Sequence, residues 1–151
     1  MRSKRVLRIL VSVVVVTLLA VTLFIHSLYL FNPLTFHRDN VTLYNWWHYP
    51  KSVVMEIADI DKGWKTVVVT DPDEIRQIYM ELKGAPETES RSTKQLGKHF
   101  VITTRHAGTS GNVGWIDQFS GYTEGGTSIN NGKEVEIGST LKEMLERLMT
   151  E

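Results

Sequence analysis

The chain has 151 residues, 17 basic and 17 acidic side chains, and no cysteine. That length fits one globular domain with an additional segment, and the lack of cysteine excludes disulfides, thiolate metal sites and a lipid carried on an amino-terminal cysteine. Every acidic residue lies from Asp39 onward, whereas Arg2, Lys4, Arg5, Arg8 and Arg38 precede it, so the larger part is net acidic and ill suited to nucleic acid or an anionic surface.

Residues 1–8 form a basic flank. Residues 9–31, ILVSVVVVTLLAVTLFIHSLYLF, contain no Asp, Glu, Lys or Arg. At about 1.5 Å per helical residue this stretch crosses a hydrocarbon core of about 30 Å. Its many valines do not oppose a helix, because each backbone polar group in lipid must be satisfied within its own segment. The basic flank predicts a cytoplasmic amino end and an extracytoplasmic remainder at the plasma membrane. A cleaved signal peptide begins in the same way, but its apolar region is about 7 to 15 residues and ends at an A-x-A-like site. No such site follows here, so an uncleaved transmembrane anchor is expected. His26 falls within the span near its outer end, within reach of interfacial water.

Residues 32–40, NPLTFHRDN, carry Pro33 without any period and read as a stalk. The rest, residues 41–151, has the size of one domain. It opens on VTLYNWWHYP, where Val41, Leu43 and Trp46 suit a short strand closed by Pro50. Three roles compete for Trp46, Trp47, His48 and Tyr49: packing against a sheet, a ligand-stacking platform, or a belt at the lipid–water boundary. An extended stalk would hold Trp46 tens of ångströms beyond the span, so core packing is the expectation and these four residues are the candidates for ligand binding.

Residues 52–60 alternate, with Val53, Met55, Ile57 and Asp59 opposite Val54, Glu56 and Ala58, and lead through Asp61, Lys62 and Gly63 to a second strand at 64–70. A helix is predicted over 72–83. Asp71 can cap it with Glu74 closing a capping box, Pro72 suits the first position, Ile75, Ile78, Tyr79 and Leu82 make one apolar stripe, and Gly84 offers a left-handed stop. Residues 87–98 are polar and read as an exposed loop. Residues 99–106 and 112–120 make a second hairpin, and 122–130 with 133–138 a third, turned at Asn131-Gly132. Thr140 and Glu143 suggest another capping box, ahead of a closing helix with its stripe at Leu141, Met144, Leu145 and Leu148. The predicted class is α+β: an N-terminal transmembrane helix, then an antiparallel sheet of hairpins with two amphipathic helices on one face.

Catalytic motifs fail on spacing. GTSGN at 108–112 lacks the final glycine of a nucleophile elbow. GTSINNGKE at 126–134 has one residue too many for a phosphate loop and Glu134 where the magnesium-ligating hydroxyl belongs. DIDKG at 59–63 has its glycine one place early for a calcium loop, and Thr70 stands in place of the closing glutamate. His99 and His106 bracket one strand on opposite faces, so no metal or cofactor site is expected. The remaining polar group is His106, Asp117 and Glu124, candidates for acid–base work if their hairpin ends gather. Asn40-Val41-Thr42 matches a glycosylation sequon.

The plan of the chain, from basic flank through anchor to a cysteine-free compact domain, resembles small single-pass extracytoplasmic proteins of Gram-positive bacteria, a group of unknown function. The resemblance covers layout and carries no diagnostic motif, so it transfers no site. The expected function is a membrane-anchored extracytoplasmic module that binds a protein or an envelope component. The alternative is a membrane-tethered hydrolase using Asp117 or Glu124.

Overall fold

A computed structural model describes residues 2–88, 96–109, 114–129 and 132–150. The apolar segment is a single helix, α1 (Arg2–Leu28), with Lys4–Leu28 long and apolar enough to cross a membrane. Both of its threonine hydroxyls are satisfied internally: Thr17 donates to the Val13 carbonyl at 2.8 Å and Thr22 to that of Leu18 at 2.9 Å. Hydrocarbon would demand this of them.

The helix does not run to Phe31. At Tyr29 the chain leaves it and enters the domain: the Leu30 amide donates to the Tyr49 carbonyl at 2.9 Å, the Lys51 amide donates to that of Leu28 at 2.8 Å, and Tyr29 bridges Pro50. Leu30 and Phe31 are only 2% and 5% exposed. The last two residues of the expected span, Leu30 and Phe31, are therefore core residues.

Nor do residues 32–40 form a spacer. The Asn32 carbonyl accepts from Phe36 at 2.9 Å, Phe36 packs on the core, and Asp39 accepts from the Val41 and Thr42 amides while pairing with Lys83 at 2.6 Å. These contacts fold the segment back onto the domain. The strand expected through Val41 and Trp46 is absent, and Trp46–His48 form a short 3₁₀ turn instead.

The sheet has seven antiparallel strands. Strand β1 (Val53–Asp59) pairs with β2 (Lys65–Val69) as the predicted first hairpin. Helix α2 (Pro72–Gly84) leads to β3 (Glu87–Thr88), and β4 (Leu96–His106) and β5 (Trp115–Glu124) form the long second hairpin. Strand β5 takes up Tyr122–Glu124, leaving β6 (Gly126–Ser128) and β7 (Glu134–Glu136) as a short third pair before α3 (Ser139–Leu148). The spatial order is β2-β1-β4-β5-β6-β7-β3. Residues 89–95 of the expected polar loop, Ser110–Asn112 of GTSGN, Val113 and Asn131 lie outside the described residues. Gly132 takes the positive φ, 76°, that the turn requires.

Register divides the sheet into two faces. Met55, Ile57, Ile102 and Phe119 point to one face and are fully buried, where α2 and α3 lay their predicted stripes, Ile75, Ile78, Tyr79 and Leu82 and then Leu141, Met144, Leu145 and Leu148. Helix α2 starts as expected, Asp71 accepting from the Asp73 amide at 3.0 Å with Pro72 first. Glu74 does not close a box but pairs with Arg147 of α3, and Gly84 stays helical, with extended Ala85 as the cap. Helix α3 begins one residue before Thr140 with Gly138 as its cap and no side-chain cap bond. The capping box expected at Thr140 thus falls inside the helix.

Candidate functional site

Two strings of rings start where α1 ends. The inner one ties helix to core: Phe31 meets Tyr49 and Tyr79 at 5.3 and 5.6 Å between centroids, and Tyr79 meets Phe119 of β5 at 5.9 Å. Such edge-to-face pairs add about 0.5–1.5 kcal/mol each beyond the area they bury. Tyr49 is the one member of NWWHYP in the core proper.

The outer string lies at the surface. Tyr29 packs edge-on against Trp46 at 4.9 Å, Trp46 against Trp47 at 5.5 Å, Trp47 meets His48 at 5.9 Å, and His48 meets Tyr44 at 5.2 Å. Trp46 and His48 are half-buried, while Trp47 is 50% exposed. Core packing, the role expected of Trp46 or Trp47, is met in part by Trp46, while Tyr49 is the ring fully in the core. The fold-back of residues 32–40 has placed the other rings beside the end of the apolar helix, and only contacts distant in sequence produce it.

The acid–base candidates do not converge. His106 pairs with Val53 at the end of β4 next to α1, whereas Glu124 pairs with Leu96 at the other end. At about 3.3 Å per strand residue that separates them by about 30 Å. Glu124 is exposed and held by Lys142 at 2.6 Å, a contact that raises the Lys142 pKa above its ordinary value. Asp117 sits opposite Thr104, is 2% exposed, and accepts from the Tyr79 hydroxyl at 2.8 Å. Burial, and then the charge of Asp117, push the Tyr79 and Tyr49 hydroxyls far above the usual tyrosine range. This is a polar knot within the apolar core rather than the floor of a cleft. A groove of about 480 Å³ does open between the end of α2 and the start of α3, lined by Met80, Ala85, Pro86 and Ile137 among others, and it does not include Asp117. Among the described residues, no three histidine, aspartate or glutamate side chains gather as a metal site would require.

A different feature escaped sequence reasoning. The sheet face opposite the helices carries Glu56 paired with Arg105 at 2.7 Å and His99 stacked on Tyr122 at 4.5 Å. At its margin β2 pairs only with β1 among the described strands, and its Val68 is 52% exposed. The β1–β2 turn, at the end of β1 away from α1, displays Trp64, 63% exposed with a positive φ of 64°. A non-glycine residue held there is uncommon and marks stored strain. In the sequence Trp64 was only the first residue of a strand.

Together these features define an α+β domain joined without a spacer to an N-terminal helix able to cross a membrane. No protein-family model matches the chain, and neither a curated protein nor a solved structure shows significant similarity to it.

Proposed function

We propose that the chain is a membrane-anchored binding module, its amino end in the cytoplasm and its α+β domain outside, that engages a protein or an envelope component. The observation that carries this reading is the burial of Leu30 and Phe31, directly beyond the apolar helix, in the domain core. Signal-peptide cleavage just after the apolar run would cut the chain among residues built into that core, which favours a retained anchor. The basic residues ahead of the helix support the orientation.

Binding is the better-supported activity because His106, Asp117 and Glu124 share no site, which leaves the hydrolase alternative without geometric support. The sheet face opposite the helices, the margin of β2 that pairs with no further strand among the described residues, and the strained Trp64 supply a surface. An edge strand offers backbone donors and acceptors to an extended partner segment, and its alternate side chains set specificity. The test places a photo-crosslinking amino acid at Val68 in the full chain and irradiates intact cells. A discrete adduct is expected from Val68, weakened by Trp64→Ala, and none from Glu143 on α3. Unadducted chain alone at Val68 would remove this surface from the proposal.

A further inference from the structure

We propose that the outer ring string is a lipid-docking surface: Trp46, Trp47, His48 and Tyr44, continued by Tyr29, lie in the headgroup layer of the membrane that α1 crosses and seat the domain flush against it. The inference rests on the anchored reading above and goes beyond it by naming the surface that meets the bilayer.

Height decides the occupant. From Ile9 to Leu28, at about 1.5 Å per residue, α1 covers about 30 Å, the full thickness of a hydrocarbon core. Tyr29, the next residue, therefore stands at the boundary where hydrocarbon gives way to headgroups. The polar layer on each side is only about 5–8 Å deep, and the Trp46 ring centre is 4.9 Å from that of Tyr29, with Trp47 a further 5.5 Å along. The hydrogen bond from the Lys51 amide to the Leu28 carbonyl, at 2.8 Å, fixes this segment to the helix end and prevents it from swinging clear. The string thus starts, at Tyr29 and Trp46, at the depth that indole and phenol rings favour, where apolar bodies meet the chains and N–H or O–H groups meet water.

Exposure fits the same occupant. Leu43 and Tyr44 join Trp47 among the exposed large apolar side chains, close together in sequence and poorly solvated by water. A third tryptophan, Trp115, starts β5 opposite Arg105, at the sheet end to which α1 is attached. Trp64 is the exception, at the far turn, and serves as the internal reference.

The test uses the full chain in dioleoyl phosphatidylcholine vesicles. With Trp46, Trp64 and Trp115 changed to phenylalanine, Trp47 should be quenched by shallow brominated acyl chains and shielded several-fold from aqueous iodide, relative to a chain that keeps Trp64 alone. In an otherwise native chain, a nitroxide on Trp47→Cys should collide more with oxygen than with an aqueous nickel chelate. A Trp47 open to iodide, or a nitroxide open to nickel, in a chain that resists alkaline carbonate extraction would overturn docking and leave the anchor standing. A chain released by carbonate would overturn both.

Discussion

Trp64 and Tyr79 show how single side chains express the fold. The left-handed conformation of Trp64 crowds its Cβ against the following carbonyl at a cost of about 1–2 kcal/mol, which asparagine bears more readily. Because its ring is largely solvated, Trp64→Asn should stabilise the domain by about 1 kcal/mol, seen as a higher melting temperature; a lower one would mean that the indole packs. For Tyr49 and Tyr79 the sign follows from linkage. Both hydroxyls have raised pKa values through burial and the Asp117 charge, so the folded state keeps protons that the unfolded chain releases near its ordinary value of 10.0. Stability is complete below that pH and declines as pH rises past it. Tyrosinate absorbance from this pair should therefore appear only with loss of structure, and an early, reversible rise from a folded chain bearing phenylalanine at its other tyrosines would contradict it. At neutral pH, Tyr79→Phe removes one donor to the buried Asp117 carboxylate and should cost about 1–3 kcal/mol.

Elements differ in how much of them could be read from sequence. Helix α2 was legible because its signals are local: Asp71, Pro72 and a stripe from Ile75 to Leu82 all act within thirteen residues. The β1–β2 hairpin was legible for the same reason. The segment 29–50 was not, since its course depends on partners far along the chain, Phe31 on Tyr79 and Asp39 on Lys83, and no periodicity encodes those. The same limit hid the separation of His106 from Glu124, which depends on strand register. This long-range dependence makes the domain boundary measurable. A soluble fragment beginning at Tyr29 should melt cooperatively, whereas one beginning at Val41 loses Leu30, Phe31 and the Phe36 contact with the core. Phe31→Ala in the longer fragment should cost about 3–5 kcal/mol; equal melting of the two fragments would show that the helix exit is not part of the core. Acid should loosen the same segment. Burial works to raise the Asp39 pKa, but Lys83 and Thr42 outweigh it and hold it below its ordinary value. That contribution is complete above the unfolded value of 3.8 and is lost as pH falls through the lower folded one.

For the whole molecule, the proposed anchor and the direct entry of α1 into the core together imply a domain held close to the bilayer, so that the orientation of the helix would fix the side on which every surface works. Arg2, Lys4, Arg5 and Arg8 precede the apolar run, and its other flank carries Arg38 balanced by Asp39. Since the excess of lysine and arginine is retained in the cytoplasm, the sheet face, Trp64 and α3 should all lie outside. A chain without native cysteine makes this directly testable. Glu143→Cys, on the exposed side of α3, should react with a membrane-impermeant maleimide on intact cells, whereas Ser3→Cys should react only after permeabilisation. Replacing the four flanking basic residues with serine removes the charge bias, and a mixed labelling pattern is then expected from Glu143→Cys. Labelling of Ser3→Cys from outside would invert the topology and move the proposed partner of β2 to the cytoplasm, while leaving the depth of Trp46 and Trp47 at the helix end unchanged.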